Sequence, residues 1–361
     1  MASTGSPVQL VAGESSSSIG GIISLVSGSS ASGYSSGAVS VASADADTIS
    51  GDSGVIKIES GAATSGSTGA IQLSSGTVSE SGKGGDLSLQ VGTSVYSSGG
   101  SVVIDSGDST LSDSIGGAVT VNAGTGMGTG GALSINAGST NNTDVGTGGD
   151  VTISAGTSAT GGDFIARSGS SSNSTSGAAT LTSGAGSNSA ASGAVFVSSG
   201  TTTNGTSGGL TLTTGDSENG GVGDVRILPG TASGASTGAN LELSGGSSLD
   251  EGTTASGGAV SMTSGASSSG VSGTVNIASA TSAQTSGDVG LSTGDSTSSI
   301  SGDLSIKSGT STTTSGDVHI ESGAATLVSG DVNIAAGNSD NLGGSVRLTG
   351  GMGGVQGGSI I

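Results

Sequence analysis

The residues best placed for chemistry are four aspartates, each standing directly before an apolar residue. They are Asp288, Asp303, Asp317 and Asp331, and the last three are 14 residues apart. If neighbouring copies stack about 4.8 Å apart, four outward carboxylates repel one another, and Ca²⁺ relieves this through oxygen coordination. The alternative interpretation is a set of solvated carboxylates that favour turns and solubility. We favour the second interpretation and keep the four as candidate metal ligands.

Other residue types offer little chemistry. The chain has one histidine, His319, and no cysteine, so neither a zinc cluster nor a Cys/His nucleophile can be assembled. Its Gly-x-Gly sequences precede no predicted helix and therefore do not indicate a phosphate loop. We predict no enzymatic activity, no catalytic residues and no cofactor other than the calcium considered above.

Two further patterns concern the surface. The Thr-x-Thr sequences at Thr180 and Thr211 resemble local parts of an ice-binding face, but other copies carry charged residues at the same positions, which breaks a regular lattice. Three Asn-x-Ser/Thr sequences begin at Asn141, Asn173 and Asn204, where a glycan would be tolerated.

The elements that must position these residues are copies of one unit, written most regularly over 301–337 as SGDLSIKSG, SGDVHIESG and SGDVNIAAG. Each copy contains an apolar pair with one residue between, such as Val318 and Ile320. A glycine usually stands two residues before the pair and another three residues after it. The segment between the second glycine and the first glycine of the next copy, here called the spacer, is rich in Ser, Thr and Ala.

About 24 such copies, with a mean spacing of about 15 residues, predict an all-β fold, a parallel β-solenoid. Period-two alternation directs the pair inward and its polar neighbours outward. The spacer would form a second strand, giving a flattened two-sheet coil with a thin core. Several early spacings sum in pairs to 31 or 32, so coils of about 31 residues remain the alternative.

We predict a single continuous solenoid array over 1–361, since no domain boundary is visible. Both ends fall within a copy and lack polar caps, which indicates a section of a longer array or a protomer that stacks end to end.

Charge and hydropathy limit the partners. The formal net charge of −20 excludes nucleic acid and disfavours anionic membranes. No apolar run is long enough for a membrane span, and the first residues lack the pattern of a signal peptide. Cations, extracellular polysaccharide and further copies of the chain are the partners compatible with this surface.

The Ser-Gly-Asp-Val-x-Ile-x-Ser-Gly unit with Ser/Thr-rich spacers resembles the low-complexity Gly/Ser/Thr repeat proteins of diatoms and related algae. The resemblance covers nearly the whole chain and implies a secreted, wall-associated or adhesive protein. We therefore expect a non-enzymatic extracellular structural or adhesive protein that forms a rod or filament by end-to-end stacking of coils. The alternative is a solenoid whose surface binds calcium, mineral, carbohydrate or ice.

Overall fold

The structure is a computed structural model, and it describes residues 5–31, 33–46, 51–142, 145–187, 190–233, 237–249 and 255–361. Within these ranges the backbone forms no helix and no strand, only coil with short turns and bends. The predicted parallel β-solenoid is therefore wrong, for coils of about 15 residues and for coils of about 31. The chain divides into two units, Met1–Ala179 and Thr180–Ile361. The prediction of one continuous array over 1–361 stays a prediction.

The backbone hydrogen bonds of eleven spacers differ from those that a solenoid would form. A parallel solenoid needs ladder bonds between strands of successive copies. Instead, eleven glycine N–H groups each donate to the carbonyl oxygen of the glycine at the other end of the same spacer, at 2.8–3.0 Å. The separation of the two bonded glycines along the sequence ranges from that of Gly156 and Gly162, the shortest, to that of Gly246 and Gly258, the longest. These bonds fold eleven spacers back on themselves, whereas other described spacers, such as those at 309–316 and 323–330, form no such bond.

The same bond recurs within each unit. In Met1–Ala179 it joins Gly13 and Gly21, Gly28 and Gly37, Gly107 and Gly117, Gly124 and Gly131, Gly138 and Gly149, Gly156 and Gly162, and Gly169 and Gly177. In Thr180–Ile361 it joins Gly246 and Gly258, Gly265 and Gly273, Gly337 and Gly344, and Gly351 and Gly358. In every case the two glycines are those that the repeat places after one apolar pair and before the next.

The two glycines of a closed spacer have different steric roles. A Cβ on Gly117 would lie 3.1 Å from the Gly107 nitrogen and 3.2 Å from the Ser106 Cβ, whereas a Cβ on Gly107 would meet nothing within 4 Å. Gly258 has the same restriction, with the Gly246 nitrogen 3.0 Å away. The second glycine is thus required by the close approach of two backbone segments. Neither glycine acts as the solenoid corner that the sequence suggested.

Serine side chains support the turns inside many spacers. In four seven-residue spacers a serine two residues after the first glycine accepts a hydrogen bond from the N–H three residues further on. Three of these bonds run from Ser18 to Ser15 at 3.0 Å, from Ser174 to Ser171 at 2.9 Å and from Gly270 to Ser267 at 2.9 Å. Such local bonds compete with regular secondary structure for the backbone donors, which favours a turn over a second strand.

One turn holds a non-glycine residue in the left-handed region. Asp113 has φ of 63°, and the N–H of Ser114 donates to the carbonyl oxygen of Leu111 at 3.4 Å. Aspartate tolerates this conformation better than most residues. The turn therefore depends on the residue type at 113.

No hydrophobic core is present in the described part of the chain, where no apolar side chain is buried. The chain exposes 35259 Å². A compact protein of this mass would expose about 12,500 Å², and an unfolded chain about 48,000 Å². The predicted thin core fails because the Ser, Thr and Ala of the spacers present too little apolar surface to cover the pairs.

Candidate functional site

The apolar pairs form the most extensive surface feature of the chain. Their first members are about half exposed and their second members about two thirds exposed, as shown by Val318 at 50% and Ile320 at 67%. Many apolar residues inside the spacers are more exposed still, such as Leu327 at 95%, although Val78 at 49% is not. The pairs are thus partly covered at a fixed position of the repeat, and each copy presents the same patch of aliphatic surface.

The partial cover of the pairs has a local origin. The least exposed positions in the described ranges stand directly before the first glycine of a spacer. They carry only small residues, namely Ala12, Ser27, Ser60, Gly245, Ser264, Ser308, Ala336 and Gly350. At Gly117 and Gly258 the close approach described above takes place at this position. Spacer closure accompanies this partial cover in several copies, but Ser60 and Ser308 precede spacers that have no closing bond, and in no case is the pair itself covered.

Two salt bridges show on which side the polar side chains lie in the segments that carry the apolar pairs. Lys57 Nζ lies 2.7 Å from Glu59 Oε2, and His319 Nε2 lies 3.1 Å from Glu321 Oε2. Residues two apart share a side only where the backbone is extended. In these copies the polar residues lie on one side of the segment, as the period-two pattern predicts, although no sheet is formed.

The ion pairs are electrostatically weak. All of their side chains are more than 60% exposed, and exposed pairs contribute about 0–1 kcal/mol. The chain has 26 acidic and 6 basic residues, so most carboxylates have no basic partner to pair with. The chain as a whole is therefore strongly negative, although the copies between 164 and 215 carry no acidic residue.

The four candidate metal ligands, Asp288, Asp303, Asp317 and Asp331, are all exposed. In the ranges that the structure describes, no group of three or more His, Cys, Asp or Glu side chains could hold a metal ion. The argument for calcium depended on stacked strands at about 4.8 Å, and no strand is formed there. The structure thus supplies no calcium geometry for these residues, and the calcium site stays a prediction.

His319 contacts only a carboxylate among potential ligands. Its Nε2 faces Glu321 Oε2, and the pair is exposed. With no second imidazole and no thiolate in the sequence, this contact is an isolated surface ion pair.

The spacer asparagines lie in bends. Asn173 and Asn204 are exposed, at 172–174 and 203–205 respectively. The third Asn-x-Thr sequence ends at Thr143, which lies outside the described residues. The spacer between Gly246 and Gly258 also contains residues outside the described ranges, although these two glycines are bonded.

The serines that cap the spacers were missed by the sequence interpretation. Ser15, Ser171, Ser267 and Ser296 each stand two residues after the first glycine of their spacer. The recurrence of Gly-x-Ser at this point is the signal that could have identified them. Their role is to hold a turn, as the Ser299 N–H donating to Ser296 Oγ at 3.1 Å shows.

No cavity opens among the described residues, and no helix there is long and apolar enough to cross a membrane. No family model, curated protein or solved structure matches the chain. The resemblance to algal repeat proteins therefore stays a hypothesis that depends on the repeat unit alone.

Proposed function

We propose that this chain is a non-enzymatic extracellular structural or adhesive protein whose copies associate through the apolar pairs. The observation that supports this most is the half-exposed aliphatic patch repeated at one position of every copy. Repetition of one weak patch favours multivalent association, since each contact raises the effective concentration of the next. End-to-end stacking of solenoid coils is no longer part of the proposal, because the coils are absent.

The energy available for association is modest per copy and large in sum. Full burial of an aliphatic side chain stabilises by about 1.5–3 kcal/mol, so the exposed half of the first member and two thirds of the second together offer about 2–3.5 kcal/mol per pair. Ordering of the segments and repulsion between acidic chains oppose this gain. Association should therefore require many pairs at once, as in a fibre or adhesive layer.

The charge of the chain predicts the conditions for association. With a net charge of −20, two copies repel at low ionic strength, and salt screens that repulsion. Hydrophobic contacts do not weaken with added salt in this way. We expect the purified chain to be monomeric in dilute buffer and to associate as salt is added.

The experiment measures association by sedimentation velocity and electron microscopy over a range of salt concentrations. Replacing Val318, Ile320, Val332 and Ile334 with serine should reduce association. The matched control replaces Leu327 and Val328, which are apolar and more exposed but belong to a spacer and do not recur from copy to copy, and it should reduce association less. Equal effects of both variants, or a wild-type chain that stays monomeric at all salt concentrations, would contradict the proposal.

The extracellular location is supported only by the resemblance. Antibodies against the purified chain should stain the surface or surrounding matrix of intact cells of the source organism. Staining confined to permeabilised cells would contradict this part of the proposal and leave the association experiment unaffected.

A further inference from the structure

Two Asn-Gly dipeptides lie at bends of neighbouring spacers in Thr180–Ile361. Asn204-Gly205 belongs to the bend at 203–205, Asn219-Gly220 to the bend at 218–220, and all four residues are exposed. We propose that both are sites of spontaneous deamidation, in which the chain converts an asparagine to aspartate or isoaspartate without an enzyme.

The reaction needs a backbone nitrogen that is free to attack. The nitrogen of the residue after asparagine must reach the side-chain amide carbon, and glycine has no Cβ to obstruct that approach. Within the described range 190–233, the N–H groups of Gly205 and Gly220 donate no hydrogen bond. Neither backbone nitrogen therefore has to break a hydrogen bond before it attacks the side-chain amide carbon.

Two other spacer asparagines provide an internal comparison. After Asn173, the Ser174 N–H donates to Ser171 Oγ at 2.9 Å. After Asn141, the Asn142 N–H donates to Thr140 Oγ1 at 3.1 Å. At these two sites the N–H of the attacking nitrogen donates a hydrogen bond to the side-chain hydroxyl of a residue earlier in the turn.

The ends of the spacers add a second difference. The Asn173 spacer is closed by the bond from Gly177 N–H to Gly169 O, at 2.9 Å. The corresponding glycines of the spacers at 200–208 and 215–223, all described, form no such bond. Rotation of the backbone toward the attack geometry therefore breaks no closing bond at Asn204 or Asn219.

The chemistry requires only water. A bond forms between the Gly205 nitrogen and the Asn204 side-chain carbon, and the bond to the amide nitrogen breaks. That nitrogen leaves as ammonia with the proton from the Gly205 N–H. Water then opens the cyclic imide at either carbonyl to give aspartate or isoaspartate. Reaction at both sites would change the formal net charge from −20 to −22, because each adds one carboxylate.

The test uses the full chain, produced in a bacterial host so that no glycan covers Asn204. The protein is incubated in mildly alkaline H₂¹⁸O and digested, and ¹⁸O incorporation and isoaspartate are measured peptide by peptide. We expect both signals at Asn204 and Asn219, and slower reaction at Asn173 and Asn141.

Because glycine itself favours the reaction, the hydrogen-bond argument needs its own variant. Ser171→Ala should raise the rate at Asn173 about fivefold, the factor that corresponds to one hydrogen bond. Ser172→Ala, one residue away and outside that bond, is the matched control and should leave the rate unchanged. Absence of ¹⁸O at both Asn204 and Asn219 overturns the proposal, as does an Asn173 rate that is the same in Ser171→Ala and Ser172→Ala.

Discussion

The spacer at 107–117 permits a direct test of closure by glycine. Two bonds meet at Gly117, whose N–H donates to Gly107 O at 2.8 Å and whose carbonyl oxygen accepts from Ser106 Oγ at 2.9 Å. A Cβ on Gly117 would lie 3.1 Å from the Gly107 nitrogen and 3.2 Å from the Ser106 Cβ. Since both contacts involve backbone or a first side-chain atom, neither can move aside easily. Gly117→Ala should therefore open the spacer.

The magnitude follows from the two bonds. Each contributes about 0.5–1.5 kcal/mol net, so losing both costs about 1–3 kcal/mol of local stability. A loss of 1–3 kcal/mol corresponds to a factor of about 5–150 in an equilibrium. Amide hydrogen exchange of the peptide spanning 108–117 should accelerate by about that factor, as measured by mass spectrometry.

Two variants isolate the cause. Gly107→Ala adds a Cβ that meets nothing within 4 Å, so exchange in the same peptide should stay at the wild-type rate. Ser106→Ala removes one bond and should give an intermediate acceleration. If Gly117→Ala exchanges like the wild type, or if Gly107→Ala accelerates exchange equally, then closure by glycine is refuted.

Three further predictions concern single positions. Asp113→Gly should slow exchange of the Ser114 amide, because glycine adopts φ of 63° without the cost of about 1–2 kcal/mol that most side chains carry, whereas Asp113→Val should accelerate it. Ser267→Ala should accelerate exchange of the Gly270 amide about fivefold through loss of the 2.9 Å bond to Ser267 Oγ, and Ser268→Ala should not; equal rates in both variants would exclude a role for that hydroxyl. Calorimetric titration with Ca²⁺ should give the same heat for the wild type and for the triple variant Asp303→Asn, Asp317→Asn, Asp331→Asn, because no described group of three ligands surrounds these aspartates. A saturable heat that the wild type shows and the variant lacks would instead establish the site.

The sequence predicted the positions of the repeat better than their contacts. The position of Gly21, for example, is predicted to carry glycine in most copies, and the close backbone approach to Gly13 restricts the residue type there. Their hydrogen bond within one spacer was not predicted, since a period shows which positions are alike and not which atoms meet. The corner role assigned to them was wrong for this reason.

The apolar pairs show a second limit. Leu304 was predicted to point into a thin core, but it is 54% exposed. Alternation over three residues correctly separates an apolar side from a polar side, as the Lys57–Glu59 contact shows. It does not reveal whether another segment covers the apolar side. That depends on the apolar area of the spacers, and Ser and Thr supply little.

The site residues were limited in the same way. The aspartate series at 303, 317 and 331 is real in the sequence, but its interpretation as a metal ladder required strands that the structure lacks. The capping serines could be predicted from the Gly-x-Ser spacing, because a short hydroxyl side chain near a turn favours a local bond to the backbone.

Short-range bonds close eleven spacers, and the described ranges form no sheet. Far-ultraviolet circular dichroism of the dilute chain at low salt tests this most directly, because it reports the backbone before any association. We predict a spectrum without the minimum of a β-sheet and without a cooperative change on heating. A dominant sheet spectrum that is lost in one cooperative transition would contradict the account.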